Sequence, residues 1–235
     1  MPQPPTLKIV EIFASIQGEG LRQGEPTIFI RLAGCNLRCP FCDTKRAWKG
    51  GRGMPLERIV DRVARLNKTR PAEWIVLTGG EPLLQDVGPL VRLLKKKGFL
   101  IQIETNGIFY RRLPALVRAF NTRTSTAESD PQARPGAPAA ADWYTVSPKP
   151  PAYAFRPEYA TRAREVKLVA SRELTFAVVA RVRDAFPLSV PLLIQPESNA
   201  AASRAKALRL LRRAAKEGRT NVRLSLQMHK ILRLP

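Results

Sequence analysis

Seven short runs rich in β-branched and aromatic residues recur along the chain, at TIFIRLAG (27–34), WIVLTGG (74–80), FLIQIETNG (99–107), WYTVSPK (143–149), REVKLV (164–169), VPLLIQP (190–196) and VRLSLQ (222–227). Most close on Gly, Pro or polar residues, as strands do where they meet turns. Stretches of helical period lie between several of them. PLERIVDRVARLN puts Leu56, Ile59, Val60, Val63 and Leu66 on one stripe after a Pro start. ELTFAVVARVRDAF and AASRAKALRLLRRAAKEG read alike, the second stopping at Gly218. Strands alternating with helices predict an α/β fold around a mostly parallel sheet, either open or rolled into a barrel. A chain of 235 residues has room for one such domain with a proper core, so residues 1–235 are read as a single domain. The stretch 121–142, NTRTSTAESDPQARPGAPAAAD, has no apolar period and is expected to be a flexible surface insertion.

The formal charge is +21, from 40 Lys and Arg against 19 Asp and Glu. Such a surplus suits phosphate- or carboxylate-bearing partners, but an Arg-, Ala- and Pro-rich composition also leaves it on solvated surfaces. Residues 201–235 hold ten Lys or Arg and one Glu, readable as a solvated helix face or as a nucleic-acid-facing patch. No run of about 18 apolar residues occurs, and the N-terminal stretch lacks the apolar segment of a signal peptide. A soluble, cytoplasmic protein is the expectation, with no membrane contact.

All three cysteines fall in GCNLRCPFCDT (34–44), as Cys35, Cys39 and Cys42. An odd, tightly clustered set excludes a secreted disulfide framework and implies a reducing compartment. A structural zinc site closes with four protein ligands, and the sole conceivable fourth is His229, the one histidine of the chain. Three thiolates instead suit an iron–sulfur cluster whose remaining iron takes an exogenous ligand. A second motif, TGGEP (78–82), follows the run WIVL. Gly79 and Gly80 lack a Cβ and let backbone approach a charged ligand, while Glu81 offers an anion to an ammonium group. Alone, such a Gly pair is more often a tight turn.

The triad, with Phe41 before its third cysteine, resembles the cluster signature of the radical S-adenosylmethionine enzymes. Further stretches resemble one subgroup, the 7-carboxy-7-deazaguanine synthases: EIFASIQGEG (11–20), FIRLAGCNLRCPFCDT (29–44), LTGGEPLLQ (77–85), IETNG (103–107), VSPKP (146–150), IQPES (194–198) and LQMHKIL with Pro235. The resemblance implies a partial, incomplete β/α barrel and a 4Fe-4S cluster whose open iron is chelated by S-adenosylmethionine, giving a 5′-deoxyadenosyl radical on reduction. It also implies Mg2+, and contraction of the 6-carboxy-5,6,7,8-tetrahydropterin ring to 7-carboxy-7-deazaguanine with loss of ammonia, in queuosine and 7-deazapurine biosynthesis. A homodimer and an electron donor such as flavodoxin or ferredoxin are implied as well.

The same resemblance distributes roles. Ile16, Gln17 and Gly18 line the pterin, and Arg31 meets its carboxylate. Thr78, His229 and Pro235, the last through its α-carboxylate, also face the substrate. Glu104 and Glu19 are the candidate catalytic carboxylates. Phe41, Asp43, Gly79, Gly80, Glu81, Ser147, Pro148, Lys149, Gln195, Pro196, Glu197 and Ser198 attend the cofactor. Thr44 ligates magnesium, although by residue type alone it reads equally as a helix cap. Two rivals stand beside this reading: a glycyl-radical-enzyme activating protein, which shares the triad but acts on a protein, and a zinc-bearing nucleic-acid-binding protein.

Overall fold

A computed structural model describes residues 5–111, 113 and 141–235. The insertion expected at 121–142 lies, but for its last two residues, outside the described residues. The strands among the described residues are β1 (Thr6–Ile16), β2 (Pro26–Leu32), β3 (Arg52–Pro55), β4 (Trp74–Gly79), β5 (Leu100–Thr105), β6 (Trp143–Val146), β7 (Ala163–Val169), β8 (Leu192–Gln195) and β9 (Val222–Leu224). The α-helices among the described residues are α1 (Leu56–Thr69), α2 (Gly88–Lys96), α3 (Phe176–Asp184), α4 (Ala201–Lys216) and α5 (Met228–Leu232). All strands join one sheet in the order β3-β1-β2-β4-β5-β6-β7-β8-β9. From β2 onward every pairing is parallel, whereas β1 runs antiparallel to both β2 and β3.

The period-2 pattern sorts the two faces of this sheet. Ile28, Ile30 and Leu32, Ile75 and Leu77, Ile101 and Ile103, Val166 and Leu168, and Leu192 and Ile194 enter one hydrophobic core. Helix residues complete that core, among them Ile59 and Val63 of α1, Leu90 and Leu94 of α2, Val179 of α3 and Ala207 of α4. The alternate residues are Arg31, Thr78, Gln102, Glu104, Thr145, Glu165, Lys167 and Gln195. The sheet curls around this polar face, which is largely buried and satisfied by internal pairing, as Lys167 with Glu19 and Thr145 with Glu165. Residues beyond β9 bond to residues around β1 near the opposite edge: the Met228 amide donates to the Gly18 carbonyl at 2.8 Å, and Ser15 Oγ to the Pro235 oxygen at 3.2 Å. The sheet is an unclosed barrel with its gap spanned by the α5 segment.

In the basic α4, Ser203, Ala207, Leu210 and Ala214 form the buried stripe, and Arg204, Arg209, Arg212, Arg213 and Lys216 lie on the exposed remainder. No helix among the described residues is long and apolar enough to cross a membrane.

Candidate active site

One cavity of about 480 Å³ opens at the C-terminal ends of the parallel strands, where such sheets place their ligands. Its wall includes the thiols of Cys35, Cys39 and Cys42. The loop that carries them leaves β2 and is pinned by tight turns, with the Cys42 amide donating to the Cys39 carbonyl at 3.0 Å and the Leu37 amide to Cys35 Sγ at 3.4 Å. Burial pushes the Cys35 and Cys39 thiols up, with the Leu37 amide and the Lys149 ammonium respectively acting against it. A metal that binds them displaces those protons. Three thiols and no fourth cysteine form a donor set that fits an iron–sulfur cluster with one iron left to another ligand. His229 stands with Glu19 and Asp43 instead of completing a zinc tetrahedron.

The Gly79–Gly80 pair has a steric cause within the protein. A Cβ on Gly80 would lie 2.0 Å from the Gly34 carbonyl oxygen, and one on Gly79, at φ +143°, 2.1 Å from that of Leu32. The end of β4 is thus pressed against the start of the cysteine loop. Both glycines line the cavity, but Glu81 is 0 % exposed and does not. Its carboxylate accepts from the Asn106 amide at 2.7 Å, Thr105 Oγ1 at 2.8 Å and the Leu83 amide at 3.1 Å. Burial pushes the carboxyl up to about 7 despite those three donors. The ammonium contact expected of Glu81 is therefore not available to its side chain; it braces the loop after β5.

The floor is a directional hydrogen-bond chain. Gln17 is 2 % exposed, and its carboxamide is used within the protein: Oε1 accepts from the Glu19 amide at 3.2 Å, and Nε2 donates to Gln102 Oε1 at 3.2 Å and Glu104 Oε1 at 3.1 Å. Thr78 Oγ1 donates to the other Glu104 oxygen at 3.1 Å. Gln17 and Thr78 both line the cavity, yet their donors converge on Glu104, which they hold toward it. Arg31 stands on the neighbouring wall. Glu11 Oε1 accepts from Arg31 Nε at 2.7 Å, and Arg46 clamps the same carboxylate at 2.7 and 2.6 Å. The guanidinium also lies 5.8 Å from the Phe13 ring, itself stacked on Phe29.

Opposite, Lys149 Nζ donates to Ser147 Oγ, and Ser147 Oγ to the Lys167 carbonyl at 2.9 Å. Burial, reinforced by the Lys167 charge, pulls the Lys149 ammonium down to about 8. Lys167 pairs with Glu19 Oε2, and Gln227 Nε2 donates to Glu19 Oε1 at 2.7 Å. Burial alone would raise Glu19; the Lys167 ammonium overrides it and holds the carboxyl well below the usual range. Ligand atoms of Glu19, Asp43 and His229 lie within 4.8 Å of one another. Thr44 occupies an N-cap position but makes no capping bond, and its hydroxyl donates to Asp43 Oδ1 at 3.1 Å. This corner is rich in oxygens, the donor type of a hard cation. Lys230 Nζ is 3.3 Å from Asp43 Oδ2.

The last wall joins β8 to the tail of the chain. Ser198 and Asn199 adopt φ of 50° and 54°, left-handed values held by a reciprocal pair: Asn199 Nδ2 to the Gln227 carbonyl at 2.9 Å, and the Gln227 amide to Asn199 Oδ1 at 3.1 Å. Gln195 Oε1 is buried with no partner among the described residues and lies in the cavity wall, an acceptor suited to a ligand donor such as a nucleoside presents. Ile16, Gly18, Phe41, Pro196, Glu197, His229 and Pro235 also line the cavity. Of the sequence-derived site residues, Glu81 and Pro148 stay outside its lining.

Sequence reasoning missed Lys167, Gln227, Asn106, Phe13 and Trp48, all in the lining. Lys167 had a signal: in AREVKLV it sits between the apolar Val166 and Leu168 and shares the opposite face of the strand with Glu165.

A model of the Radical SAM superfamily matches residues 29–126. A "7-carboxy-7-deazaguanine synthase" of Hyperthermus butylicus is 51 % identical over 116 residues, 48 % of this chain and 46 % of that protein, so the chain spans about half the length of that relative. The protein of the same name from Aquifex aeolicus is 34 % identical over 94 % of this chain and 90 % of its own. Among solved structures, QueE from Escherichia coli superimposes with a TM-score of 0.71 at 26 % identity, over 95 % of both chains. A triad loop at the end of β2, a bracing Gly-Gly-Glu turn after β4 and near-full-length identity converge: the chain belongs to the 7-carboxy-7-deazaguanine synthase family of radical S-adenosylmethionine proteins.

Proposed function

We propose that this protein converts 6-carboxy-5,6,7,8-tetrahydropterin to 7-carboxy-7-deazaguanine with loss of ammonia, within 7-deazapurine biosynthesis. The observation that carries the reading is the sharing of one cavity by the three thiols, the Arg31 guanidinium and the Glu104 carboxylate. Cys35, Cys39 and Cys42 hold the 4Fe-4S cluster. Ser147, Lys149 and the Gln195–Ser198 segment hold S-adenosylmethionine, with Phe41 and Asp43 beside it. When bound, cluster and S-adenosylmethionine together supply one-electron, hydrogen-abstracting chemistry.

The chain's own residues position the substrate. Arg31 offers a forked donor to the pterin carboxylate, and Glu104 accepts from the N–H edge of the aminopyrimidinone ring. Glu19 supports that contact. Thr44, with Asp43 bonded to its hydroxyl, would hold Mg2+ beside the substrate, and His229 and Pro235 line the same chamber. A small acidic electron carrier of the flavodoxin or ferredoxin type suits a chain of formal charge +21. Family resemblance supports a homodimer, and three cysteine thiols suit the reducing cytoplasm.

The test is anaerobic reconstitution with iron and sulfide, which should give brown protein absorbing at about 400 nm. Addition of reductant, S-adenosylmethionine, Mg2+ and the carboxytetrahydropterin should then release the deazaguanine. Zinc-loaded, colourless protein would overturn the radical reading; a reducible cluster without product would overturn the substrate alone.

A further inference from the structure

Two buried ammonium groups stand side by side in the cavity wall and serve different ends of it. Lys149 follows β6, and the Cys39 thiol is among the groups that act on its charge. Lys167 lies on β7, its side chain 8 % exposed, and pairs with Glu19 from the loop between β1 and β2. The charged groups that face Lys167 are Glu19, Glu104 of β5, Glu165 of its own strand and Lys149. Behind Glu19 stand His229 and Asp43. Lys167 thus faces three carboxylates, two of which, Glu19 and Glu104, line the cavity, while the buried Arg22 guanidinium also acts on Glu104 and Glu165.

A buried ion pair is a poor source of stability, because apolar residues of similar volume often replace it without loss. The neighbouring inward position on β7, Val169, is apolar. A lysine at 167 therefore calls for a reason beyond the fold. Its ammonium fixes one Glu19 oxygen while Gln227 fixes the other. The Glu19 amide in turn holds the Gln17 carboxamide, whose Nε2 is spent on Glu104.

We propose that Lys167 is a positioning residue for substrate recognition: through Glu19 it keeps the paired carboxylates of the cavity floor oriented as acceptors for the N–H edge of the pterin. The assignment rests on the tetrahydropterin reading above. It is supported by the Lys167 ammonium itself, which burial opposes but which Glu19, Glu104 and Glu165 hold strongly protonated.

The test compares Lys167→Met, Lys167→Arg, Glu19→Gln and the charge-balanced Glu19→Gln/Lys167→Met protein, each loaded with cluster. Lys167→Met should raise KM for 6-carboxytetrahydropterin by about tenfold or more while kcat changes by less than about threefold. Lys167→Arg should recover most of the affinity, since a guanidinium also donates to Glu19. The double variant should lose no more than the worse single one, as expected of two residues acting as a unit. Iron content and S-adenosylmethionine affinity should match the unmodified protein. Lys167→Met, or the double variant should the single one fail to fold, with unchanged KM overturns the assignment, as does a Lys167→Arg protein no better than Lys167→Met. A cluster-loaded unmodified protein that turns over no pterin overturns the substrate reading and this assignment with it.

Discussion

Asn106 donates its side-chain amide to the Asn36 side-chain oxygen at 2.8 Å, which ties the end of β5 to the loop that bears the three thiols. Since Asn106 also gives its backbone amide to Glu81, the cysteine loop is braced from β4 and β5 at once. Asn106→Ala removes two partly buried hydrogen bonds, this one and the one that Asn106 Oδ1 accepts from the Ile108 amide at 3.0 Å, together worth about 2 kcal/mol in global stability. The larger effect should be local: faster loss of iron to a chelator with only a modest change in Tm. Equal iron-release rates in both proteins would show that the bond does not hold the loop.

Gly80→Ala should be far more severe than a Gly-to-Ala change in an ordinary loop. The new methyl would meet the Gly34 carbonyl oxygen at 2.0 Å and that of Ala47 at 2.9 Å, both backbone atoms with little room to yield. The expected outcome is soluble protein with strongly reduced iron per chain after reconstitution. Full iron loading would mean that the end of β4 and the cysteine loop can separate without harm.

Arg31→Lys should behave like a loss and not like a conservative change. The guanidinium gives its Nε to Glu11 and still has two terminal nitrogens, whereas an ammonium is a single point donor. KM for the carboxylated pterin should rise by roughly ten- to a hundredfold, the equivalent of about 1.5–3 kcal/mol for a charge-assisted bond, with the cluster spectrum unchanged. Steady-state kinetics with spectroscopy on the same samples decides it.

Glu81 gives the fold a pH dependence of defined sign. Its carboxyl is pushed by burial from an ordinary 4.5 up to about 7. Between those values the unfolded chain has released a proton that the folded protein keeps, so stability falls as pH rises and then levels off above 7. The amplitude is roughly 3 kcal/mol at about 1.4 kcal/mol per pH unit. The difference in unfolding free energy between the unmodified protein and Glu81→Ala should therefore shrink from pH 4.5 to pH 7.5. A gap constant across that range would place the carboxyl at its ordinary value.

Much of this architecture is legible in the residues alone, for identifiable reasons. β2 and β4–β8 are short apolar runs buried on one or both faces, β9 is a largely exposed edge strand that its Val and Leu still mark, and α1, α3 and α4 carry apolar stripes. β1 escapes that reading because a register shift between Ile9 and Glu11 breaks its alternation. β3 escapes because Arg-Gly-Met-Pro has no strand propensity of its own and is held by pairing with Thr6–Ile9. α2 opens on Gly-Pro, a turn signal that masks the helix behind it. The site shows the same division. Motif residues such as Arg31, Glu104 and the thiols are readable from local pattern, whereas the reach of Gln227 to Glu19 joins positions 208 residues apart and has no local signature. Glu81 is the instructive case: its motif marks the right turn, but burial decides which way its carboxylate points.

The segment from Gln227 onward spans the gap between the two ends of the sheet, and that fixes an order of events during synthesis. The cysteine loop leaves the ribosome with the first strands, long before α5 exists to rest on Gly18. The thiol loop and the segment that covers the far side of its chamber therefore come from opposite ends of the chain, and the chamber is complete only once both are folded.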